Sequence, residues 1–224
     1  MSAVFYGVLW LVFNAAGRLF FRYRAIGREH IPKQGGLLVA ANHASYLDIP
    51  FLGCGIPRRV AFLGRQDLFP FSGLHWAFRK LGWIPIRQDR LDRGGFGTAV
   101  RLIKEGRVVV IFPEGGRSAD GRLRPGKPGI GVIVAETGCP VVPAHITGTY
   151  EALPVGAKLM RLHPIRITYG KPIDFSVDAP RYAGKEFYRH VSRTVMERIA
   201  ELGGVAFPAH RIQQQPAARS FNAE

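Results

Sequence analysis

Short runs of β-branched and other apolar residues, separated by segments of helical length, constrain this chain more than anything else in it. The runs are Gly36–Ala41, Arg59–Gly64, Trp83–Arg87, Val108–Phe112, Val141–Ile146 and Ile165–Tyr169. Helices are predicted over Tyr46–Cys54, Leu74–Leu81, Gly95–Lys104, Ile130–Glu136 and Lys185–Leu202. The last carries an apolar stripe of Phe187, Val191, Val195, Ile199 and Leu202, the spacing of one helix face. Strands alternating with helices predict an α/β layered fold: a central, mostly parallel mixed sheet of about six to seven strands, flanked by helices. The 224 residues, 47% of them hydrophobic, suffice for one sizeable core and exclude disorder throughout.

The N-terminus follows a different rule. Ala3 to Phe13 is apolar except for Tyr6, and Leu19, Phe20 and Phe21 resume the run after Asn14 and Arg18. Apolar side chains on every side are foreign to the surface helix of a soluble domain. Met1-Ser2-Ala3 lacks the basic start of a cleaved signal peptide. A buried core helix is the bland alternative. A membrane-associated helix, either partly inserted or a tilted single span, fits better, because Arg18, Arg22, Arg24 and Arg28 follow it and would sit at headgroup level. That places the rest of the chain on the cytoplasmic face of the membrane. The expected organisation is a membrane-associated helix over 1–24, a catalytic domain over 25–203 and a mobile tail over 204–224, where Gln213–Gln215 and Pro216 fall.

The formal net charge of +15 narrows the partners to nucleic acid, an anionic membrane surface or phosphate-bearing substrates. Arginine, the better residue for gripping phosphate oxygens in pairs, far outnumbers lysine. A solvated cationic face explains the same excess without function. Cys54 and Cys139 are too few for a disulfide framework.

Several chemistries are absent. Gly121 to Pro128 resembles a nucleotide-binding P-loop but ends on Pro128, which offers neither a hydroxyl for Mg²⁺ nor an N–H for phosphate. There is no G-x-S-x-G turn for a nucleophilic serine and no G-x-G-x-x-G after the first strand. The seven histidines are scattered and no H-E-x-x-H occurs, so no metal is expected. No groove-reading or base-stacking motif accompanies the positive charge, so no nucleic-acid partner is expected.

Two blocks carry chemistry. The first strand ends in Asn42-His43-Ala44-Ser45-Tyr46-Leu47-Asp48. A histidine and an aspartate five residues apart at a strand-to-helix turn bring imidazole and carboxylate together, which suits His43 as a general base held by Asp48. An imidazole ordinarily titrates near pH ~6.5, convenient for taking a proton at neutral pH. Alternatively, Ser45 or Asp48 only caps the next helix. The second block, Phe112-Pro113-Glu114-Gly115-Gly116-Arg117-Ser118, follows the most apolar strand, where α/β folds place ligands. Arg117 can grip a phosphate, and the glycines let backbone approach a ligand. Glu114 would repel a phosphate, and so suits orienting an arginine or holding a neutral hydroxyl. A tight loop with an Arg–Glu surface pair is the plainer alternative.

Together these blocks resemble the glycerolipid acyltransferase family. Asn42, His43, Ser45 and Asp48 match its N-H-x-S-x-x-D motif, and Phe112 to Ser118 match F-P-E-G-T-R-S except that Gly116 replaces Thr. Gly82 to Arg87 resembles its intervening G-x-I-x-I-x-R block in compressed form, and Val141-Val142-Pro143-Ala144 its last strand. Gly126-Lys127-Pro128-Gly129 resembles the turn after the third block. The resemblance implies transfer of a fatty acyl group from acyl-CoA or acyl carrier protein to the hydroxyl of 1-acyl-glycerol-3-phosphate. No cofactor is implied beyond that thioester co-substrate. It makes His43 and Asp48 catalytic, and Arg87, Glu114, Gly115, Arg117, Ser118 and Lys127 substrate-binding. It also makes the lysophospholipid acceptor and the phospholipid surface partners. Gly116 opens the alternative of a different acceptor, such as lyso-ornithine lipid. His145, which follows the last block, is assigned no role.

Overall fold

The computed structural model describes residues 3–66, 82–87 and 92–207. The helix predicted over Leu74–Leu81 and most of the 204–224 tail lie outside the described residues. Along the chain come α1 (Ala3–Phe21), β1 (Arg24–Ile26), a short 3-10 turn (Arg28–His30), β2 (Leu37–Ala41), α2 (Asp48–Gly55), β3 (Val60–Arg65) and β4 (Trp83–Ile86). They are followed by α3 (Arg93–Lys104), β5 (Val108–Ile111), α4 (Gly129–Thr137), β6 (Val141–Thr147), α5 (Thr149–Ala152), β7 (Arg166–Tyr169) and α6 (Lys185–Gly203). The seven strands form one sheet in the order β1-β7-β6-β2-β5-β3-β4. Strands β6, β2, β5, β3 and β4 are mutually parallel, while β7 runs antiparallel to β6 and β1 runs with β7. This is the expected mostly parallel mixed sheet.

Both faces of the sheet are covered, which is why the central strands are apolar on both sides. One set of alternate side chains, Leu37, Val39 and Ala41 with Val108, Val110 and Val142, packs under Phe51 and Leu52 of α2 and Phe21 of α1. The other set, Leu38 and Ala40 with Val109 and Ile111, packs under α3, α4 and α6. On α6 the stripe read from sequence is buried at Phe187, Val191, Val195 and Ile199. Val191, Val195 and Ile199 expose no surface, and full burial of each such side chain is worth about 1.5–3 kcal/mol. Gly131 lets α4 lie directly on α6, since a Cβ there would fall 2.3 Å from the Tyr188 Cα.

Helix α1 is neither a core helix nor a span. One narrow stripe, Trp10, Asn14, Gly17 and Phe21, faces α2. The Asn14 amide donates to the Cys54 carbonyl at 3.2 Å, and a Cβ on Gly17 would meet the Phe51 ring at 2.9 Å. Val8, Leu11, Val12, Phe13, Leu19 and Phe20 point away and are exposed, so α1 is not a core helix. Among the described residues no helix is long and apolar enough to cross a membrane, so the single-span expectation is not supported. The 19 residues of α1 rise only about 28 Å, and Asn14 and Arg18 interrupt the apolar window.

The sheet also uses a side chain as backbone. Beyond the last β2–β6 pair, Ala41 with Ala144, the Asn42 amide donates to the Ile146 carbonyl at 2.9 Å and accepts the Ile146 N–H at 2.7 Å. Asn42 thus extends pairing with β6 while its main chain turns away. Replacing it by Ala strands two buried backbone groups, at about 1–3 kcal/mol each. Urea unfolding of Asn42→Ala should show a loss of about 2–6 kcal/mol at an unchanged m-value.

Candidate active site

The site forms where neighbouring parallel strands β2 and β5 end together. From β2 the chain runs through Asn42–Leu47 into α2. From β5 it turns at Phe112-Pro113 into the glycine-rich loop. The second loop clamps the first by its backbone: a Glu114 carboxylate oxygen accepts the His43 N–H at 2.9 Å, and the Ser118 N–H donates to the His43 carbonyl at 2.7 Å. Both main-chain groups of His43 are therefore fixed by residues of the other block.

The imidazole is fixed as well. Its ring stacks on Phe112 with centroids 4.0 Å apart and planes 15° from parallel. Its Nδ1 lies 2.8 Å from Asp48 Oδ2. That oxygen also accepts the Ala44 and Ser45 N–H groups at 2.7 and 2.8 Å. Hydrogen bonds to a charged acceptor are worth about 1.5–3 kcal/mol each, and three of them on one oxygen offset the burial of Asp48, which exposes no surface. Helix α2 begins at Asp48 with no side-chain cap, so neither Ser45 nor Asp48 is there merely as a cap. Ser45 Oγ instead donates to the Leu153 carbonyl at 2.8 Å and accepts the Leu47 N–H at 3.2 Å.

Glu114 is buried and does not reach the cavity described below. Its second oxygen accepts the Arg124 N–H and Nε–H at 3.3 and 3.2 Å, and Arg124 Nη2 also binds the Gly116 carbonyl. Burial pushes the Glu114 carboxyl above its ordinary value, and the bonds from His43 and Arg124 pull it part of the way back. Ser118 is buried too; its hydroxyl donates to Asp120 at 2.8 Å and does not line the cavity. Gly115 has φ +74° and lies under the Lys127 side chain, where a Cβ would fall 2.7 Å from Cε. Lys127 is itself anchored by its N–H to the Pro113 carbonyl at 2.7 Å. By contrast, a Cβ on Gly116 would meet nothing nearer than Arg124 Nη2 at 4.0 Å.

A cavity of about 710 Å³ opens beside the ring of His43. Among the described residues four cations line it: Arg65 at the end of β3, Arg87 at the end of β4, Arg117 and Lys127. The backbone of Arg87 is tied to the Asp92 carboxylate at 2.8 Å, the same carboxylate that caps α3 through Gly94 and Gly95. The Arg117 guanidinium lies 3.6 Å from the centroid of the Tyr46 ring. Leu63, Ile86, Phe96, Ile111 and Ile130 supply apolar wall. The site thus offers one ring nitrogen of His43 free for substrate, a cationic surface for an anion and an apolar surface for a chain.

Four contributors were not read from sequence: Phe112 as the stacking partner, Tyr46, Arg65 and Arg124. Arg65 was reachable, since it ends a parallel strand beside the two motif strands. Arg124 carried no signal within its near-P-loop stretch. His145 lies off the cavity, with its buried ring against Gly203. Among the described residues no group of three or more His, Cys, Asp or Glu could hold a metal ion.

An imidazole–carboxylate pair after one parallel strand and a glycine-rich cationic loop after the next define the class: residues 22–147 match the Acyltransferase family model, and the chain belongs to that family. A chloroplastic 1-acyl-sn-glycerol-3-phosphate acyltransferase of Brassica napus is 34% identical over 158 residues, covering 69% of this chain and 46% of that protein. The 1-acyl-sn-glycerol-3-phosphate acyltransferase of Bacillus subtilis (strain 168) is 27% identical over 182 residues, covering 80% of this chain and 87% of that protein. The crystal structure of the 1-acyl-sn-glycerophosphate (LPA) acyltransferase PlsC from Thermotoga maritima matches with a TM-score of 0.69 and 28% identity, over 90% of this chain and 83% of that one. The chain spans less than half the length of the Brassica relative.

Both cysteines lie away from this chemistry. Burial pushes the Cys54 thiol up to about 11 and raises Cys139 as well. Neither should react with a disulfide reagent such as DTNB at pH ~8 in the native protein, because the thiolate is the reactive form. Both should react after unfolding; rapid labelling of native protein would contradict this placement.

Proposed function

We propose that this protein moves a fatty acyl group from an acyl thioester, on coenzyme A or acyl carrier protein, to the free hydroxyl of 1-acyl-glycerol-3-phosphate, giving phosphatidic acid. One observation carries the proposal. His43, tied through Nδ1 to Asp48 at 2.8 Å, lines a cavity that also holds Arg65, Arg87, Arg117 and Lys127. That pairs a base with an anion-binding surface and leaves room for an acyl chain.

The chemistry needs no enzyme nucleophile. His43 Nε2 takes the proton of the acceptor hydroxyl as its oxygen attacks the thioester carbonyl. Asp48 holds the Nδ1–H tautomer and stabilises the imidazolium that forms. The C–S bond then breaks, and the imidazolium returns its proton to the departing sulfur. A thiol titrates near ~8.5, so its thiolate leaves with little assistance. Arg87, Arg117 and Lys127 hold the acceptor phosphate, with Arg65 beside them. Glu114 and Ser118 act one step back by setting the His43 backbone, while Gly115 lines the cavity and makes room for Lys127. The exposed apolar face of α1 supports an interfacial helix lying on the membrane that holds acceptor and product. The arginines at its end favour the cytoplasmic face.

A second reading keeps the chemistry and changes the acceptor. Gly116 lacks the hydroxyl that the family motif carries there, and the space beside it is open. A lysolipid panel, with lyso-ornithine lipid included, separates the two readings: preference for lysophosphatidic acid supports the first.

With acyl-CoA and lysophosphatidic acid, His43→Ala should lower kcat by about 10³-fold or more. Undiminished turnover in this variant would overturn the mechanism. Arg117→Ala should raise KM for lysophosphatidic acid about 10- to 100-fold, the worth of one or two charge-assisted hydrogen bonds. KM for the thioester should stay near wild type.

A further inference from the structure

The loop 153–165, between α5 and β7, presents a surface that the chemistry above does not use. Every residue from 155 to 164 is exposed. Among them Leu159 is 83% exposed, Leu162 67% and Met160 52%, side chains that water disfavours and that single scattered positions do not explain when they cluster. Lys158, Arg161, Arg166 and Lys171 punctuate this stretch, and no acidic residue occurs between Glu151 and Asp174.

The exposure is held in place by hydrogen bonds. The loop leaves the catalytic turn, where Ser45 Oγ donates to the Leu153 carbonyl at 2.8 Å. It doubles back through the Arg161 N–H on the Ala152 carbonyl at 2.8 Å. It returns to the end of α1, where the Ile165 N–H donates to the Phe21 carbonyl at 2.9 Å. Near its start, Val155 forms part of the cavity wall. At its end it is bonded to Phe21, which follows the exposed Leu19 and Phe20 in sequence. The loop therefore runs from the cavity wall to the C-terminal end of α1.

We propose that the loop 153–165 is a second lipid-docking element, with Leu159, Met160 and Leu162 entering the interfacial layer of an anionic phospholipid bilayer and Lys158 and Arg161 meeting its headgroups. Apolar side chains flanked by cations and free of acids match that layer, where hydrocarbon lies just below phosphate. Its hydrogen bond to the end of α1, whose outward side chains are apolar as well, favours a lipid surface over a protein partner. Docked this way, the cavity rim at Val155 faces the bilayer, and a lysolipid acceptor enters without crossing water. This deepens the acyltransferase reading, and rests on it for the purpose of the docking.

The test is sedimentation of the full chain with vesicles of phosphatidylcholine alone or with ~30% phosphatidylglycerol, a content that gives the surface a negative potential. Leu159→Ser/Met160→Ser/Leu162→Ser should bind both vesicle types at least about tenfold more weakly. Lys158→Glu/Arg161→Glu should lose about tenfold or more on the anionic vesicles and little on the neutral ones. Thermal midpoints, and turnover of a short-chain acceptor dispersed as monomers, should match wild type in both variants. Unchanged vesicle binding overturns the proposal. So does a wild-type dimer, seen by light scattering, that the substitutions break, or loss of acyl carrier protein binding with vesicle binding intact. Vesicle binding requires no turnover, so an inactive enzyme that still docks, and an active one that does not, separate failure of the acyltransferase reading from failure of this one.

Discussion

The grip on His43 is the interaction on which the site depends, and it comes from three directions. The carboxylate of Asp48 holds one ring nitrogen, the face of Phe112 holds the ring plane, and the loop after β5 holds the peptide on both sides. Each contact comes from a residue whose own position is set by the sheet. Parallel pairing of β2 with β5, Ala40 opposite Ile111, brings the two strand ends level. A one-residue slip of that register would turn alternate side chains to the wrong face and carry Glu114 away from the His43 N–H. A general base must be placed to within fractions of an ångström for its proton transfer to help. Here that placement follows from backbone pairing rather than from loop stiffness.

This arrangement gives a carboxylate a place in a glycine-rich, cationic loop. Glu114 faces away from the cavity and satisfies three N–H groups, one on His43 and two on Arg124. Arg124 also binds the Gly116 carbonyl, so one guanidinium spans the glycine pair's far side. The loop thereby keeps a defined course despite two adjacent glycines, which alone would give the backbone wide freedom. Two of its other cations, Arg117 against Tyr46 and Lys127 over Gly115, are left to face the cavity.

Much of the fold was legible because fully buried parallel strands advertise themselves. Val108-Val109-Val110-Ile111 reads as a central strand whatever surrounds it. The three-residue β1 does not, since two of its three residues are exposed and its pairing with β7 depends on chain segments 142 residues apart at Arg24 and Arg166. Local chemistry was legible on the same terms. His43 and Asp48 lie on one turn, and five residues of sequence suffice to join them. Arg124 reaches Glu114 across ten residues of irregular chain, and Tyr46 reaches Arg117 across the gap between two strands. Neither is encoded in any local period. The N-terminal segment was legible as helix and as apolar, but not in its orientation: only packing on α2 decides which stripe faces inward.

The outward face of α1 and the loop 153–165 bear on the same question as the cavity. A lysolipid carries a charged head and an apolar tail, and the cavity offers cations on one side and apolar wall on the other. Such a substrate resides in a membrane, so an enzyme that waits in water meets little of it. Apolar groups that a folded chain would ordinarily bury are instead held outward by specific hydrogen bonds: Asn14 to Cys54 fixes the roll of α1, and Ile165 to Phe21 fixes the end of the loop. Sequestering those groups inside would gain stability, so their outward placement fits the proposed docking on a bilayer. Their exposure fits the proposed reaction, whose acceptor and product would both remain in the lipid phase.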